Sequence, residues 1–373
     1  MNYMKTGRSS IKRFCFGAFT AGALFLTLLP SSAATDNSLL GVYYGNNGWE
    51  MAQIEALESW QGKKHAVLNL FTNWCDSSTE QESLFNQRLL NIWNNQNVPM
   101  ITWEPFFCNA QSTPVDVEVR AANGEFDTYI SKWSERMKTF LSGPDGVYNT
   151  ADDRRAYIRL AHEMNGDWYP WSAAKGGNAP TDYIRMWQRL KSLFYNKGME
   201  WTHLQWIWTV NSTDNGGYKA ESFYPGDKYV DWVAIDGYNW GTTQKWSKWL
   251  TPNQTFAPML RRLRALTKKP VAITEFASTT STSGTSIEAK SQWIVDAFKY
   301  ALAQKIKMII WFNQDKETDW AFFGGAKGDK TFDYKNKTYK TYVAYNRAIR
   351  SSHFLSADTR NPRLLTDAQF AGF

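Results

Sequence analysis

Short runs of apolar and β-branched residues recur along the chain, and longer, more polar segments separate them. Runs of this length, bounded by turn-forming residues, are typical of buried β-strands. They predict eight strands, at residues 39–44, 65–71, 98–103, 156–161, 204–210, 230–236, 271–275 and 306–312. Most of the segments between them are long enough for a helix, which is the pattern of a protein that alternates strands and helices.

Several of the connecting segments carry apolar residues at intervals of three and four positions, as an amphipathic helix does. Stripes of this kind predict helices over residues 126–141, 184–194 and 287–302. Residues 211–229 are instead rich in Gly and Ser. They predict a long loop with at most a short helix around residues 220–224.

Eight strands with intervening helices fit a (β/α)8 barrel, an α/β fold that needs about 250 residues. We therefore expect a single barrel domain over residues 35–373, with long loops at the C-terminal ends of the strands. A doubly wound open sheet is the alternative. That fold usually carries a glycine-rich phosphate turn after its first strand, and residues 45–48 lack the required G-x-G-x-x-G spacing.

The composition is that of a folded protein, since 43% of the 373 residues are hydrophobic and only 21% are charged. Four Lys and Arg residues lie within the first thirteen positions, before any acidic residue. An apolar run over residues 14–29 and small residues at 30–34 follow. Together these features predict a secretory signal peptide over residues 1–34. The apolar run is short for a membrane-spanning helix, although an uncleaved anchor is the alternative.

Removal of the four basic residues would lower the net charge from +7 to +3. So small an excess of basic residues gives no sign of a nucleic-acid partner. We expect a secreted monomer, extracellular or periplasmic, without membrane contact after cleavage. Cys75 and Cys108 stay in the mature chain, and each follows one of two neighbouring predicted strands. In an oxidising compartment they could form a disulfide, and two buried thiols are the alternative.

Acidic and aromatic residues gather where the predicted strands end. The active site of a (β/α)8 barrel lies at these C-terminal ends, so the residues there are the candidates for chemistry. The third, fourth, sixth, seventh and eighth strands end in segments 103–105, 162–168, 236–240, 274–276 and 311–314. Two glutamates among them, Glu163 and Glu275, end strands that are not adjacent. Across a narrow barrel mouth they can face each other.

A pair of facing carboxyl groups is what glycoside hydrolysis requires. One is kept protonated and gives its proton to the leaving oxygen, while the other is ionised and attacks the sugar or activates water. A separation of about 5 Å favours attack by the carboxylate, a covalent intermediate and retention of configuration. Aromatic walls such as Trp168 and Tyr169 could raise the pKa of the acid by removing it from water.

The 19 tryptophans support a carbohydrate ligand, because an indole offers a sugar ring a flat apolar platform and an N–H donor. The tryptophans beside strand ends, which include Trp103, Trp168 and Trp311, are the candidates for this role. Most of the others, such as Trp133 and Trp187, lie in amphipathic stripes and are expected to pack helices onto the barrel.

Other chemistries fit the residues less well. His162 and Glu163 could open a zinc-binding H-E-x-x-H motif, but position 166 is Gly and no other histidine is suitably spaced. The acidic residues of segment 143–153 do not have the spacing of an EF-hand loop, and a solvated turn is the simpler interpretation. No His and Asp accompany the hydroxyl groups of residues 278–281 as a serine hydrolase would need. We therefore expect no metal and no other cofactor.

Five segments resemble, in order along the chain, those of glycoside hydrolase family 26, the retaining β-mannanase family of the large (β/α)8 glycosidase clan. The strongest resemblance is Arg-Leu-Ala-His-Glu-Met-Asn-Gly-Asp-Trp-Tyr-Pro-Trp at residues 159–171. The other four segments are residues 41–45, 231–238, 271–276 and 309–312. Family members tend to carry a Trp-Phe-Trp-Trp-like stretch where residues 168–171 read Trp-Tyr-Pro-Trp, and this variation lies close to the expected substrate.

The resemblance implies a role for each matching position. Glu163 corresponds to the acid/base and Glu275 to the nucleophile. The remaining matches are supporting or substrate-binding positions, namely Arg159, His162, Trp168, Tyr238 and Trp311. His162 could instead be a hydrogen-bonded core histidine, and Arg159 could be a buried ion-pair partner of a carboxylate.

The resemblance further implies a secreted endo-acting β-glycanase that cleaves a β-1,4-linked polysaccharide with retention and without a cofactor, mannan being favoured. The family also contains mixed-linkage β-1,3-1,4-glucanases and β-1,3-xylanases, so these substrates are alternatives. An alternative of another class is a non-catalytic glycan-binding protein on the same scaffold. The paired glutamates count against it, because binding does not need two facing carboxyl groups.

Overall fold

The predicted strands lie side by side in one parallel sheet that closes into a barrel. A computed structural model describes residues 37–75, 77–108, 112–175 and 178–373, so the predicted signal peptide lies outside the described residues. Within these ranges, eight parallel strands follow the order β1 to β8, and pairing of β1 with β8 closes the sheet. They are β1 (Ser38–Tyr43), β2 (Val67–Asn73), β3 (Val98–Glu104), β4 (Ala156–Leu160), β5 (Leu204–Asn211), β6 (Trp232–Asn239), β7 (Val271–Ser278) and β8 (Met308–Phe312). The expected (β/α)8 barrel is confirmed, and the doubly wound alternative is wrong.

Helices connect the strands on the outside of the barrel. They are α1 (Ala52–Gln61), α2 (Ser78–Ser83), α3 (Leu89–Asn94), α4 (Val117–Ala122), α5 (Asp127–Leu141), α6 (Pro180–Asn196), α7 (Pro252–Leu266), α8 (Ile287–Ala303), α9 (Val343–Ala348) and α10 (Asp367–Phe370). A π-helical segment, Leu84–Arg88, joins α2 to α3. A short 3₁₀ helix, Ala220–Phe223, lies in the long connection between β5 and β6. The helices predicted from apolar stripes correspond to α5, α6 and α8.

Two layers of buried side chains hold the barrel together. Inside it, the N-terminal halves of the strands contribute apolar side chains such as Val67, Met100, Tyr157, Ala234 and Met308. Alternate residues of the same strands pack outward against the helices, because successive side chains of a strand point to opposite faces. The closed end of the barrel is therefore apolar, and polar groups gather at the C-terminal end.

Local sequence signals set the start of the longer helices. The helix α7 begins with a capping box in which Thr251 accepts the N–H of Gln254, and the Gln254 side chain accepts the N–H of Thr251 at 2.9 Å. At the start of α8, the Ser286 hydroxyl accepts the N–H of Ala289 at 3.1 Å. These contacts satisfy N–H groups that a helix leaves without partners at its first turn.

Two features were not predicted from the sequence pattern. After β8, the strands β9 (Lys330–Tyr334) and β10 (Lys337–Thr341) form an antiparallel hairpin of largely exposed residues. The two-residue strand β11 (Phe354–Leu355) pairs in parallel with the start of β1. Neither contains the long apolar run on which strand prediction depends.

A disulfide joins the loops that follow β2 and β3. Cys75 and Cys108 are bonded, with their Cα atoms 4.5 Å apart. Of the two alternatives left open by the sequence, the structure thus contains the disulfide. None of the helices among the described residues has the length and apolar character needed to cross a membrane.

Candidate active site

The C-terminal ends of the strands surround a cleft with a volume of about 910 Å³. Its walls consist mainly of polar and aromatic side chains, which is where a barrel of this kind places its functional residues. Residues that line it include Tyr43, Phe71, Glu104, His162, Glu163, Trp168, Asn211, Tyr238, Trp240, Trp246, Glu275, Phe312 and Trp320. The two glutamates predicted from the sequence therefore share one cavity.

Glu163 lies on a tight turn after β4. Its backbone has a φ of +55°, in the left-handed region that residues other than glycine rarely adopt. Two hydrogen bonds hold this turn. The N–H of Glu163 donates to the carbonyl of Thr209 at 3.0 Å, and the N–H of Gly166 donates to the carbonyl of Glu163 at 2.9 Å. Strained backbone of this sort persists only where the surrounding structure enforces it, and it occurs often at functional sites.

The carboxyl group of Glu163 receives hydrogen bonds from two neutral donors. The indole N–H of Trp168 donates to Oε2 at 3.0 Å, and the amide of Asn211 donates to Oε1 at 3.2 Å. Burial raises the pKa of Glu163 to about 7, and the negative charge of Glu275 adds to this rise. Near neutral pH a large fraction of Glu163 is therefore protonated, as a proton donor must be.

Glu275 lies at an irregularity in β7. The pairing of β7 with β6 shifts by one residue after Ile273, so that Asp236 lies opposite Glu275 rather than Thr274. Such a bulge places one extra residue in the strand and changes the direction of its side chains. As a result, Thr274 donates to Asp236 inside the barrel at 2.8 Å, while Glu275 lines the cleft.

Glu275 is bound by a cation and a phenol. The guanidinium of Arg159 donates to its Oε1, and the hydroxyl of Tyr238 donates to its Oε2 at 2.5 Å. Arg159 is fully buried and also donates to Asp236 at 2.6 Å and to Thr102 at 2.9 Å. Arg159 is thus a buried ion-pair partner that also fixes a carboxylate of the cleft.

The charge of Arg159 bears on the question of a metal site. His162, Asp236 and Glu275 could offer three ligand atoms that lie within 4.8 Å of one another. Burial alone would lower the pKa of Arg159, but the charges of Asp236 and Glu275 more than offset this effect and raise it above its ordinary value. Because the guanidinium already supplies positive charge to both carboxylates, the set fits an arginine-centred network better than a cation site.

His162 precedes Glu163 in the chain and its ring lies near Glu275. Its Nε2 is 3.1 Å from the hydroxyl of Tyr169 and 4.0 Å from Oε1 of Glu275. Burial, together with the charge of Arg159, lowers the pKa of His162 well below its usual range, so the imidazole is neutral. Among the described residues its Nδ1 has no hydrogen-bond partner, which does not fit a fully satisfied core histidine.

Aromatic rings form the walls of the cleft. Trp168 is 40% exposed and Trp246 is 72% exposed, although both line the cleft. Trp240 and Trp320 pack edge to face with ring centroids 4.8 Å apart, and Tyr238 lies 5.0 Å from Trp320. Indoles and phenols placed in this way provide platforms on which sugar rings can stack.

Trp103 and Trp311 are not among the residues that line the cleft, so of the two roles expected for them, substrate binding or support, their positions fit only support. Trp103 is fully buried and stacks on Trp133, with ring centroids 4.2 Å apart. Trp311 is also fully buried, and its indole N–H donates to the carbonyl of Trp320 at 3.1 Å, so it supports a cleft wall only from behind. The next residue in each strand lines the cleft instead, because successive side chains point to opposite faces.

Several residues that line the cleft had no role assigned from the sequence, among them Glu104, Asn211, Trp246 and Trp320. Glu104 and Asn211 are the last residues of β3 and β5, so their position at a strand end was a usable signal. Trp246 and Trp320 lie in the loops after β6 and β8. The pattern of strands does not determine the path of such loops.

Comparison with known proteins identifies the family. Residues 44–259 match the sequence model of glycosyl hydrolase family 26. The chain belongs to glycosyl hydrolase family 26. This result confirms the resemblance that the five sequence segments indicated, and the matched span contains Glu163, Arg159 and Tyr238.

Two relatives of this family 26 chain are named for different activities. The chain is 32% identical over 287 residues to Endoglucanase H of Acetivibrio thermocellus, a match that covers 75% of this chain and 28% of that protein. It is 25% identical over 233 residues to a mannan endo-1,4-beta-mannosidase of Bacillus subtilis strain 168, covering 57% of this chain and 62% of that protein. The chain thus spans less than two thirds of the length of either relative.

Solved structures share the barrel. An endo-beta-1,4-mannanase double mutant from Cellulomonas fimi superposes with a TM-score of 0.58 at 16% identity, covering 87% of this chain and 73% of that one. A beta-mannanase of family 26 from Bacteroides ovatus gives a TM-score of 0.57 at 14% identity, covering 87% and 92%. At these identities the likeness shows the fold alone.

Proposed function

We propose that this family 26 protein is a secreted, retaining endo-β-glycanase that hydrolyses internal β-1,4 linkages of a polysaccharide. One observation carries the proposal: two glutamates with opposite electrostatic surroundings share one aromatic-lined cleft. Glu275 is bound by the guanidinium of Arg159 and the hydroxyl of Tyr238, whereas Glu163 has neutral donors and a pKa of about 7. A carboxylate and a carboxylic acid in one cavity are the pair that glycoside hydrolysis needs.

The reaction proceeds in two displacements. In the first, Glu275 attacks the anomeric carbon while Glu163 donates its proton to the glycosidic oxygen, so the leaving sugar departs with a free hydroxyl and the other becomes an ester of Glu275. In the second, the ionised Glu163 takes a proton from water as that water attacks the same carbon and releases Glu275. Two inversions at one carbon give net retention.

The surrounding residues keep the two carboxyl groups in these roles. Arg159 and Tyr238 each donate to a different oxygen of Glu275, which fixes the orientation of the attacking carboxylate. His162 is neutral, so it adds no positive charge that would stabilise the ionised form of Glu163. The raised pKa of the acid is thereby preserved.

We place β-glucan first as the backbone and β-mannan second. The relative named an endoglucanase is 32% identical to this chain, whereas the relatives named mannan endo-1,4-beta-mannosidases are 20% to 26% identical. This order reverses the preference for mannan that the resemblance to family 26 implied. Mannan stays the second candidate, because the B. subtilis protein named a mannan endo-1,4-beta-mannosidase aligns over 57% of this chain.

Export is part of the proposal. The basic start, apolar run and small residues of positions 1–34 predict a signal peptide. The disulfide between Cys75 and Cys108 supports an oxidising destination, because structural disulfides persist outside the cytosol. Secretion of the full-length chain with cleavage near residue 34 is testable by mass spectrometry of the exported protein.

A reducing-sugar assay of the mature chain tests the activity. The panel is barley mixed-linkage glucan, carboxymethylcellulose, galactomannan and β-1,3-xylan, with Glu275→Ala as the inactive variant. Glu125→Ala is the matched control, because this glutamate is exposed and pairs only with Arg120 among the described residues. We expect hydrolysis of a glucan, lost in Glu275→Ala and kept in Glu125→Ala, with the first product formed as the β-anomer by NMR.

The other outcomes of this assay are equally informative. Hydrolysis of galactomannan or β-1,3-xylan alone would assign that backbone and contradict the glucan assignment. Binding to a panel member without hydrolysis, equal in wild type and Glu275→Ala, would refute the enzyme and support the non-catalytic glycan-binding alternative. A product that first appears as the α-anomer would refute retention.

A further inference from the structure

A third glutamate, Glu104, lines the cleft beside the proposed catalytic pair. It is the last residue of β3, and its carbonyl accepts the N–H groups of Trp74 at 3.1 Å and Phe106 at 2.7 Å. The disulfide between Cys75 and Cys108 joins the two loops that these residues begin. The backbone that carries Glu104 is therefore held from both the β2 side and the β3 side.

The carboxyl group of Glu104 has no protein partner in the described part of the chain. None of the residues there donates a hydrogen bond to either oxygen, whereas Glu163 and Glu275 each accept two. Glu104 lines the cleft, so its carboxyl group can form hydrogen bonds with a ligand bound there. The natural source of such partners is whatever occupies the cleft.

The protonation state of Glu104 suits a neutral hydroxyl ligand. Burial raises its pKa to about 8, the positive charge of Arg159 opposes the rise, and the negative charge of Glu275 adds to it. At neutral pH the group is therefore mainly a carboxylic acid, with one O–H donor and acceptor oxygens. A sugar hydroxyl, which both donates and accepts, matches this pair.

The strand order places Glu104 next to the proposed catalytic pair. It lies near Tyr43 of β1, whose pKa is raised by burial and by the charges of Glu275 and Glu104. Glu163 follows β4, the strand that pairs with β3, whereas Glu275 is on β7, which is not a neighbour of β3. The charge of Glu104 interacts with those of both Glu163 and Glu275, so its carboxyl group lies close to the place where the scissile bond would be cleaved.

We propose that Glu104 is a specificity-determining contact whose carboxyl group binds a hydroxyl of a backbone sugar ring next to the scissile bond. This inference rests on the proposed function and deepens it by naming a residue that reads the backbone sugar. Glucose and mannose differ only in the orientation of one ring hydroxyl. A carboxyl group that requires a hydroxyl at one place discriminates between them, because the wrong sugar leaves a buried polar group unpaired.

The test compares Glu104→Ala and Glu104→Gln with Glu118→Gln as a matched control. Glu118 in α4 is also buried, with no hydrogen-bond partner for either carboxyl oxygen in the described structure. Burial raises its pKa to about 8 as well. It is not among the residues that line the cleft, so it shares with Glu104 a pKa raised by burial but not the proposed contact.

Two quantities are measured in the mature chain at pH 6. The first is kcat/KM on soluble β-glucan and galactomannan, and the second is the Kd of a β-1,4-linked hexasaccharide by calorimetry in the Glu275→Ala background. We expect Glu104→Ala to lower kcat/KM by roughly 10- to 300-fold on the preferred backbone, so that the kcat/KM values for glucan and mannan become more similar. We also expect the Kd of the hexasaccharide to rise at least tenfold. Glu104→Gln, which keeps a donor and an acceptor, should lose less than about tenfold, and Glu118→Gln should match the wild type.

Several outcomes would overturn the inference. Values for Glu104→Ala within twofold of wild type on both backbones, with unchanged Kd, would show that no contact exists. Equal losses in Glu104→Ala and Glu104→Gln, together with a lower unfolding temperature, would show a structural role. A shifted pH profile in Glu104→Gln with unchanged Kd and unchanged backbone ratio would show that Glu104 acts only on the pKa of Glu163.

The binding measurement separates this inference from the proposed function. If the wild type hydrolyses none of the polysaccharides, the proposed function fails. A weaker Kd for the hexasaccharide in Glu104→Ala/Glu275→Ala than in Glu275→Ala would still support the contact. If the wild type is active and the two Kd values agree, the function stands and the Glu104 contact is refuted.

Discussion

Glu163 and Glu275 are buried to nearly the same extent, at 7% and 6% exposed, and each accepts two side-chain hydrogen bonds. The donors differ in charge. Glu163 receives an indole and an amide, whereas Glu275 receives a guanidinium and a phenol. Burial alone therefore does not assign the acid and the nucleophile in this cleft. The charge of the donors separates two carboxyl groups that are otherwise alike.

The largest expected effect is that of Glu275→Gln, because the amide keeps the shape of the side chain but cannot attack. We expect kcat to fall by roughly four orders of magnitude or more on every substrate. Steady-state kinetics on the polysaccharide and on a dinitrophenyl glycoside measure this. A loss seen only with the polysaccharide would contradict the assignment of Glu275 as the nucleophile.

Glu163→Gln should differ from Glu275→Gln in its dependence on the leaving group. The polysaccharide needs a proton on its leaving oxygen, so we expect its turnover to fall roughly 10²- to 10⁴-fold. A dinitrophenolate leaves without a proton, and the burst of its release in the pre-steady state should be nearly unchanged. Equal losses on both substrates would show that Glu163 is not the acid.

Arg159→Met removes the cation that distinguishes the surroundings of Glu275. Asp236 is then buried without its partner, and we expect the free energy of unfolding to fall by about 3–5 kcal/mol. Urea unfolding measures this change. The double variant Arg159→Met/Asp236→Asn also removes the buried acid and should recover part of the stability but not kcat. If the double variant recovered both stability and kcat, the result would show that the function of Glu275 does not require Arg159.

The pKa of Glu163, about 7, predicts how activity depends on pH. The acid works when protonated, so kcat/KM should fall as the pH rises through 7, by up to tenfold per pH unit above it. Because this pKa is raised in the folded state, the stability that the neutral group contributes is present below about pH 4.5 and is lost as the pH rises through 7. Rate profiles and thermal unfolding between pH 4 and 9 test both trends. Activity that rises above pH 7 would contradict the assignment.

Trp168→Phe should have the smallest effect. It removes the indole N–H that donates to Glu163 at 3.0 Å, a bond that lowers the pKa of this acid. The alkaline limb of the profile should therefore move upward by about half a pH unit or less. Trp201→Phe is the control, because this tryptophan is 54% exposed and does not line the cleft. A downward shift in Trp168→Phe alone would contradict the prediction.

The fold was predictable wherever burial on both faces of a strand produced a continuous apolar run. Parallel strands covered by helices have this pattern, which explains why all eight barrel strands were found. The hairpin of β9 and β10 was missed for the same reason, since Lys330, Lys337 and most of their neighbours are exposed. Its strands are held by their mutual pairing rather than by a buried apolar sequence.

The site was predictable from strand ends, but not where side-chain direction mattered. Strand-end position identified Glu163 and Glu275, whereas it misplaced Trp103, which alternation within β3 turns toward the helices. A prediction from the alternation of side-chain direction would be wrong at the bulge of β7, where the consecutive side chains of Thr274 and Glu275 both point into the barrel. A bulge depends on the pairing of neighbouring strands, so it cannot be predicted from the local sequence.

The left-handed backbone at Glu163 costs thermal stability at a residue whose side chain is proposed to be needed for turnover. Glycine adopts such a φ without steric cost, and it would also leave no carboxyl group to bury. A library of random variants ranked only by survival at high temperature should therefore be enriched in Glu163→Gly, a change that removes the proposed acid. Engineering of this barrel for higher thermal stability should therefore keep Glu163 unchanged and introduce stabilising substitutions in the exposed loops.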